Sequence, residues 1–269
     1  MTPAERAAIS ETQEPIPEDL LEMLRMQLRA AGGPGSGNFG HAGRPGEVGG
    51  SAPGDGAARP TPIRVQTVEE AVPLILSGKT VELPDIRSVN TVLTRLGAMA
   101  LEAKALGKDA PKFDLCQVSV PGTNLFCGSK LRTDEFPTGI PRLQMPVIPG
   151  KLKEDFVADL LTHGIASQKE TIPASNLKAS QAELMGPHVA QMMLSPDFDP
   201  AKSPIFVSRD NYVVDGHHRW AAVVGKDAED NKLGSLTMNV VRLDAPISEI
   251  YHKAKAWQRR MGIESRGVD

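Results

Sequence analysis

The sequence predicts a mixed α/β protein, because short segments typical of strands recur between longer segments with helical spacing. Val89 to Leu106 (VNTVLTRLGAMALEAKAL) places its apolar residues on one helical face. Pro204 to Val207 (PIFV) and Leu236 to Leu243 (LTMNVVRL) are instead typical of strands. A glycine-rich stretch precedes all of these segments and follows one short helical pattern. We therefore expect a folded region behind a linker.

The first predicted element is an amphipathic helix over Pro17 to Ala30, within an N-terminal arm of residues 1–31. Its leucines fall at helical spacing, and Gly32 and Gly33 end it. An isolated helix of this length is marginal in water unless its apolar face finds a partner. Two interpretations stay open, a loosely docked arm and a contact for another protein.

Residues 32–62 are expected to form a disordered linker. Eleven of the 25 glycines lie between Gly32 and Gly56, prolines are interspersed, and apolar residues are nearly absent. Such a segment buries too little surface to offset its ordering entropy. A phosphate loop is excluded, because no G-x-x-x-x-G-K-[ST] pattern occurs and no apolar strand precedes the glycines.

Residues 63–150 are expected to form a small α/β module, which we interpret as a structural adaptor. Pro73 is expected to kink the first helix or to lie in its first turn. The predicted elements are helices over Val68 to Leu76 and Val89 to Leu106 and strands over Thr80 to Leu83 and Leu115 to Val120.

Residues 151–247 are expected to form a second domain, which is followed by one helix and a tail over residues 248–269. Asp215-Gly216 should end a strand, and the next helix should stop at Gly225. The predicted elements are an extended segment over Glu170 to Leu177, a helix from near Pro187, strands over Pro204 to Val207, Tyr212 to Val214 and Leu236 to Leu243, and a helix over His217 to Val224.

The candidate functional site is a phosphate-binding turn formed by Asp215-Gly216-His217-His218-Arg219. A helix that begins directly after a strand and a glycine presents free N–H groups and a partial positive charge to an anion. Gly216 lets the backbone approach closely, and the planar fork of Arg219 suits phosphate oxygens. His217 and His218 offer further donors to phosphate. Asp215 is a candidate ligand for Mg²⁺ or a cap for the helix.

Two other interpretations of this pattern stay open. One is a hairpin turn followed by a solvated helix. The other is a His/His/Asp metal centre, although adjacent helical histidines point about 100° apart and rarely share one ion. No partner is evident in the sequence for His163, His188 or His252, so surface or packing roles are expected for them.

Three segments together resemble the ParB/sulfiredoxin superfamily over roughly eighty residues: IPASNLKASQAE, HVAQMM and PIFVSRDNYVVDGHHRWAA. The resemblance implies a small mixed sheet with helices that binds a nucleotide's phosphates at the strand–turn–helix. The Asp-Gly-His-His-Arg form is similar to that of free-serine kinases of this superfamily. Two further segments, GGPGSGNFGHAGRPGEVGGS and VSVPGTNLFC, resemble segments of bacteriophage and prophage proteins.

The chain differs from several branches of the superfamily, and these differences exclude some of the activities that the resemblance would otherwise imply. Sulfiredoxins carry a cysteine where His217 stands, so sulfinate repair is excluded. Partitioning members have a helix-turn-helix domain after the nucleotide site, whereas 26 residues follow Leu243, so sequence-specific partitioning is not expected. The position of the kinases' catalytic glutamate aligns with either Gln181 or Glu183, and a glutamine cannot act as a general base.

The leading hypothesis is a nucleotide-dependent phosphotransferase or phosphohydrolase that uses ATP or ADP, with CTP as the alternative, together with Mg²⁺. Gly216, His217, His218 and Arg219 would bind phosphates. Asp215, His218 and Glu183 would be catalytic, with Asp215 holding the metal. The rivals are a phage structural or DNA-processing accessory, including a ParB-like nuclease that contacts DNA, and a toxin-like effector. Phage head or DNA-packaging proteins are the expected partners of the N-terminal arm.

Charge, hydrophobicity and cysteine content predict further properties of the chain. A formal net charge of −3 provides no global basic field for nucleic acid, which leaves a local basic patch open. No run of about 18 apolar residues occurs, so no membrane span is expected. Met1 to Gln13 lacks the features of a signal peptide, which predicts a cytoplasmic location in a bacterial host or association with virions. Cys116 and Cys127 are expected to be reduced, packed thiols, with a disulfide between them as the alternative.

Overall fold

The segments predicted to alternate between strand and helix do so in the computed structural model, which describes residues 61–201 and 204–264. The mixed α/β class is confirmed. The N-terminal helix at Pro17 to Ala30 and the linker up to residue 60 lie outside the described residues. In chain order the elements are β1 (Ile63–Arg64), α1 (Val68–Leu76), β2 (Val81–Glu82), α2 (Ile86–Ala105), β3 (Val118–Ser119), α3 (Lys153–Thr162), β4 (Ser167–Pro173), β5 (Lys178–Ala179), α4 (Gly186–Leu194), β6 (Ile205–Ser208), β7 (Tyr212–Asp215), α5 (His217–Asp227), β8 (Thr237–Leu243) and α6 (Ile247–Arg260).

The strands form two sheets. β1, β2 and β3 are two-residue strands that pair in parallel in that order. The other sheet has the order β4-β8-β6-β7-β5, with antiparallel pairs β4–β8 and β6–β7 and parallel pairs β8–β6 and β7–β5. β7 therefore lies one strand in from the edge of the five-stranded sheet, and its C-terminal end delivers the chain to α5.

Side chains of this sheet alternate between two hydrophobic clusters. Val207 and Val213 pack in the first cluster, whereas their neighbours Phe206 and Val214 pack in the second. Because a strand buried on both faces needs apolar residues at every position, this explains the uninterrupted PIFV pattern. Helices add further members to both clusters, with Leu93, Val189 and Trp220 in the first and Phe156, Ile250 and Trp257 in the second.

The first cluster is continuous across residue 150, where the sequence suggested a domain boundary. Leu93 and Leu96 of α2 belong to the same cluster as Val189 of α4. Gly97 allows this close approach, because a Cβ there would lie 3.1 Å from the carbonyl oxygen of Ala190. The chain from Pro62 onward accordingly forms one compact unit.

Two predicted elements differ in the structure. The strand expected over Leu115 to Val120 is a 3₁₀ turn over Leu115–Gln117 followed by the two-residue β3, because the Asp114 carboxylate accepts the Cys116 N–H at 3.0 Å and caps a turn there. The prediction that Gly225 ends α5 is also wrong. The helix runs to Asp227, and Gly225 instead makes room for the side chains of other helices, with Leu93 Cδ1 only 3.0 Å from where its Cβ would be.

The expectation of two reduced thiols is wrong. Cys116 and Cys127 form a disulfide, with their Cα atoms 5.0 Å apart. This separation lies within the range that a disulfide requires. The two cysteines are 11 residues apart, and Cys116 lies in the 3₁₀ turn at 115–117.

The remaining elements lie within a few residues of their predicted positions, and Pro73 lies in the interior of α1. Among the described residues, no helix is both long enough and apolar enough to cross a membrane.

Main-chain hydrogen bonds join residues 131–140, which precede α3, to residues 179–182, which include the end of β5. We call this set of bonds the backbone clamp. The N–H of Leu131 donates to the Ala179 carbonyl at 2.9 Å, and the N–H of Ile140 donates to the Ser180 carbonyl at 2.9 Å. The Ile140 carbonyl in turn accepts the Ala182 N–H at 2.8 Å. Gly139 sits at the closest point, with φ +95° and a would-be Cβ only 2.8 Å from Ala182 Cα.

Gly139→Ala is expected to lower the free energy of unfolding by about 2 kcal/mol or more, since it combines a left-handed backbone with a clash against main-chain atoms. Urea denaturation followed by far-UV circular dichroism measures the change. Gly150→Ala is the matched control, because a Cβ at Gly150 meets nothing within 4 Å and its φ is not in the left-handed region. Equal stability of the two variants would contradict the clamp.

Candidate functional site

All five residues of the Asp-Gly-His-His-Arg sequence line one cleft of about 120 Å³. The end of β7 and the first turn of α5 form one side of it. The other residues that line the cleft are Met145, Pro146, Gln181, His188, Met192 and Val214. The structure therefore brings the predicted motif together with residues from three other parts of the chain.

Gly216 makes the sharp turn from β7 into α5. Its φ of +97° lies in the left-handed region, which glycine adopts without strain. A Cβ at this position would lie 3.0 Å from Ile205 Cβ and 3.3 Å from Arg219 Nη2. Only a glycine leaves room for both contacts, so this position must be glycine for packing and for backbone geometry.

His217 points into the core, although it is the first residue of α5. Its residue is 4% exposed, and its Nε2 lies 3.0 Å from Ser180 Oγ. The Ser180 hydroxyl donates its single proton to the Val213 carbonyl at 2.6 Å. Ser180 Oγ must therefore accept from His217, which places a proton on Nε2. His217 thus ties the start of α5 to β7 through Ser180.

His218 has the opposite protonation at Nε2. The backbone N–H of Met185 donates to His218 Nε2 at 3.3 Å, so this nitrogen presents a lone pair. In the neutral ring the proton is then on Nδ1. The His218 ring also meets the His188 ring edge-on, with centroids 5.1 Å apart and planes at 86°.

His188 enters the cleft from the first turns of α4. Partial burial of its ring, and secondarily the charge of Arg142, lower the pKa of this imidazole below its ordinary value near 6.5. The neutral form is therefore favoured at pH 7. No partner for His188 was evident from the sequence, and the structure packs its ring against that of His218.

Asp215 is held by two cations. Its Oδ2 lies 3.7 Å from Lys153 Nζ and 4.0 Å from Arg219 Nη2, and its side chain is 14% exposed. These contacts place one face of the Arg219 guanidinium against the strand end. Lys153 comes from the first turn of α3, which the sequence did not associate with the motif.

The described residues do not fit a metal ion held by the protein alone. Asp215 shares its carboxylate with two cations, and no group of three or more His, Cys, Asp and Glu side chains in the described ranges could hold a metal. The predicted role of Asp215 as a Mg²⁺ ligand and the His/His/Asp centre both lack a donor set. Any divalent cation here would take most of its ligands from water or from a bound molecule.

Glu183 is not among the residues that line the cleft. Its residue is exposed, and the pKa of Asp114 responds to its charge. Burial, followed by this smaller contribution from Glu183, raises the pKa of Asp114, while the N–H groups of Leu184 and Cys116 act in the opposite direction. Gln181, the other alternative for the kinase base, is buried and lines the cleft. The structure therefore places the amide, not the carboxylate, next to the motif.

Several cleft residues were missed in the sequence. His188 and Met192 are four residues apart on one helix, so the spacing in HVAQMM could have shown that both face the same side. Met145 and Pro146 carry no comparable signal, because they follow a long segment without regular structure. The other two histidines also have partners, with His163 Nδ1 at 2.8 Å from the Asp159 carbonyl and His252 Nε2 at 3.3 Å from Glu135 Oε2.

Comparison of the chain with models of protein families, with curated proteins and with solved structures finds no match.

Ser180→Ala is expected to lower the free energy of unfolding by about 1–3 kcal/mol, because it leaves the His217 Nε2–H without its acceptor in a buried site. Chemical denaturation monitored by Trp fluorescence provides the measurement. The matched control is Ser248→Ala on the exposed face of α6, which should change stability by less than about 0.5 kcal/mol. A loss no larger than that of the control would rule out the inferred Ser180–His217 hydrogen bond.

Proposed function

We propose that the cleft binds the phosphates of a nucleotide, with Gly216, His218 and Arg219 as the main contacts. The observation that carries the proposal is that the whole Asp-Gly-His-His-Arg sequence lines one cleft at the start of α5. The first turn of α5 offers N–H groups and a partial positive charge to an anion. The side chains of Arg219 and His218 add donors from the same turn.

His217 has a different role in this proposal from the one expected from the sequence. Its Nε2–H is committed to Ser180, so its contribution is to fix the helix start against β7. Phosphate contacts are accordingly assigned to the backbone of the turn, to His218 and to Arg219. Asp215 orients Arg219 by ion pairing.

Met145, Pro146 and Met192 also line the cleft, and we assign them to the less polar part of the nucleotide. Methionine suits this role because its flexible side chain adapts its shape to flat rings. Small-molecule sites commonly combine such apolar contacts with a few polar groups that fix orientation. ATP and ADP remain the proposed ligands, with CTP as the alternative. Mg²⁺ would enter coordinated by the phosphates.

The proposed reaction class is phosphoryl transfer or phosphate-ester hydrolysis, as the resemblance to ParB/sulfiredoxin proteins suggests. Positioning and electrostatic stabilisation supply most of the catalysis in such reactions. Glu183 is not proposed as the base, because it does not line the cleft. The proposed setting is a phage or prophage protein in the bacterial cytoplasm or in virions, with the N-terminal arm contacting head or packaging proteins.

A second candidate function is a nucleotide-binding accessory without turnover. The observation that favours it is the distance of Glu183 from the cleft, which leaves no carboxylate there apart from the ion-paired Asp215 among the described residues. The absence of a metal-binding cluster in the same residues weighs against a ParB-like nuclease acting on DNA.

Arg219→Ala is expected to weaken nucleotide binding by about 10- to 100-fold, which is the value of one charge-assisted hydrogen bond to phosphate. Calorimetric titration of the full chain with ATP, ADP and CTP, each with and without Mg²⁺, measures it. The full chain is used because the first hydrophobic cluster draws on both sides of residue 150.

Arg209→Ala is the matched control, since Arg209 is exposed and pairs only loosely with Asp244 at 3.4 Å. This variant should bind nucleotide like the wild type. Unchanged affinity in Arg219→Ala, with a normal unfolding curve, would contradict the proposed site. Equal losses in both variants would show that binding follows surface charge instead of the cleft.

A further inference from the structure

We propose that His188 is the general base of the cleft, accepting the proton of the nucleophile that attacks the terminal phosphate. This inference rests on the proposed function and assigns the residue that accepts a proton in the reaction. It follows from how the three imidazoles that line the cleft, His188, His217 and His218, are engaged.

Two of these imidazoles are committed to other bonds at Nε2. His217 Nε2 carries a proton that it donates to Ser180, inside the core. His218 Nε2 uses its lone pair to accept the Met185 N–H, which places the proton of the neutral ring on Nδ1. His218 therefore acts as a donor, which suits a phosphate contact and does not suit proton uptake at Nε2.

His188 occupies a different position. It reaches the cleft from α4, and its residue is exposed enough to meet water. Its ring rests edge-on against His218, so a nucleophile beside His188 lies next to the proposed phosphate contacts. The cleft thus brings an imidazole from α4 beside the first turn of α5.

The charges around His188 favour its basic form. The positive charge of Arg142, in a short 3₁₀ helix over residues 142–144, lowers the pKa of His188. His218 faces His188 from α5, and Asp215 and Arg219 line the same cleft. Partial burial and Arg142 both lower the pKa of His188, so the ring is neutral near pH 7 and can take up a proton. Asp215 is a poorer candidate, because Lys153 and Arg219 already lie against one of its carboxylate oxygens.

The proposed step is the hydrolysis of a nucleoside triphosphate. A water oxygen attacks the γ-phosphorus, and a new P–O bond forms. The bond between the γ-phosphorus and the β,γ-bridging oxygen breaks, and its electrons leave with the nucleoside diphosphate. The water proton moves to the free lone pair of His188 and is later released to solvent. With an acceptor alcohol in place of water, the same proton transfer yields a phosphate ester.

The test compares the wild type with His188→Asn, using the full chain and ATP with Mg²⁺. Phosphate release gives kcat and KM across pH 5 to 9, and calorimetric titration gives the affinity separately. General-base catalysis contributes about 10²- to 10⁴-fold, so kcat should fall by at least about 100-fold. The affinity should stay within about threefold, because His188 is not assigned a phosphate contact.

The pH profile separates a base from a merely structural residue. In the wild type, kcat/KM should be constant near neutrality and fall as the pH drops through the lowered pKa of His188, since protonation removes the acceptor. His188→Asn should lack this acidic limb. The control is His252→Asn, whose side chain is 62% exposed and lies outside the cleft, and it should retain both rate and profile.

The outcomes distinguish this inference from the function on which it rests. Loss of rate and of the acidic limb with retained affinity supports the role of His188. Binding of ATP with no turnover in the wild type overturns the role, as does a His188→Asn variant with the wild-type rate and profile, while nucleotide binding stands in both cases. Absence of nucleotide binding in the wild type overturns the proposed function and this inference together.

Discussion

The contact between Gly216 and Ile205 is the constraint on which the cleft depends. The backbone of Gly216 packs so tightly on β6 that no side chain fits between them, and its positive φ redirects the chain from β7 into α5. This turn determines which way the next residues face. His217 is directed into the core, His218 and Arg219 line the cleft, and Arg219 folds back towards Asp215. The side chains that we propose as phosphate donors are therefore held in place by the fold itself, an arrangement that lowers the ordering cost of binding.

Much of this arrangement could be predicted from local sequence. The apolar run at 204–207, the strand at 212–214 and the Asp-Gly break each have a local physical cause, so the strand–turn–helix was predictable. The backbone clamp between 131–140 and 179–182 was not, because main-chain hydrogen bonds between distant segments leave no side-chain pattern. The positions of Met145 and Pro146 in the cleft were not predictable either, because no local sequence pattern marks them. The disulfide and the buried position of Gly225 depend on tertiary packing in the same way.

The histidines show a second limit of sequence reasoning. His217 and His218 are adjacent and of one residue type, yet one donates at Nε2 to a buried serine and the other accepts at Nε2 from a backbone N–H. Residue type predicts that an imidazole can exchange a proton near neutrality. The hydrogen-bond partner decides which nitrogen does so, and Ser180 and Met185 lie more than 30 residues earlier in the chain.

The continuous core across residue 150 bears on how such a protein can change during evolution. Neither half of the described region is a cassette that recombination could move to another gene, because separation would expose Leu93 and Leu96 on one side and Val189 on the other. The cleft, whose walls come from both halves, is consequently inherited as a whole or lost as a whole.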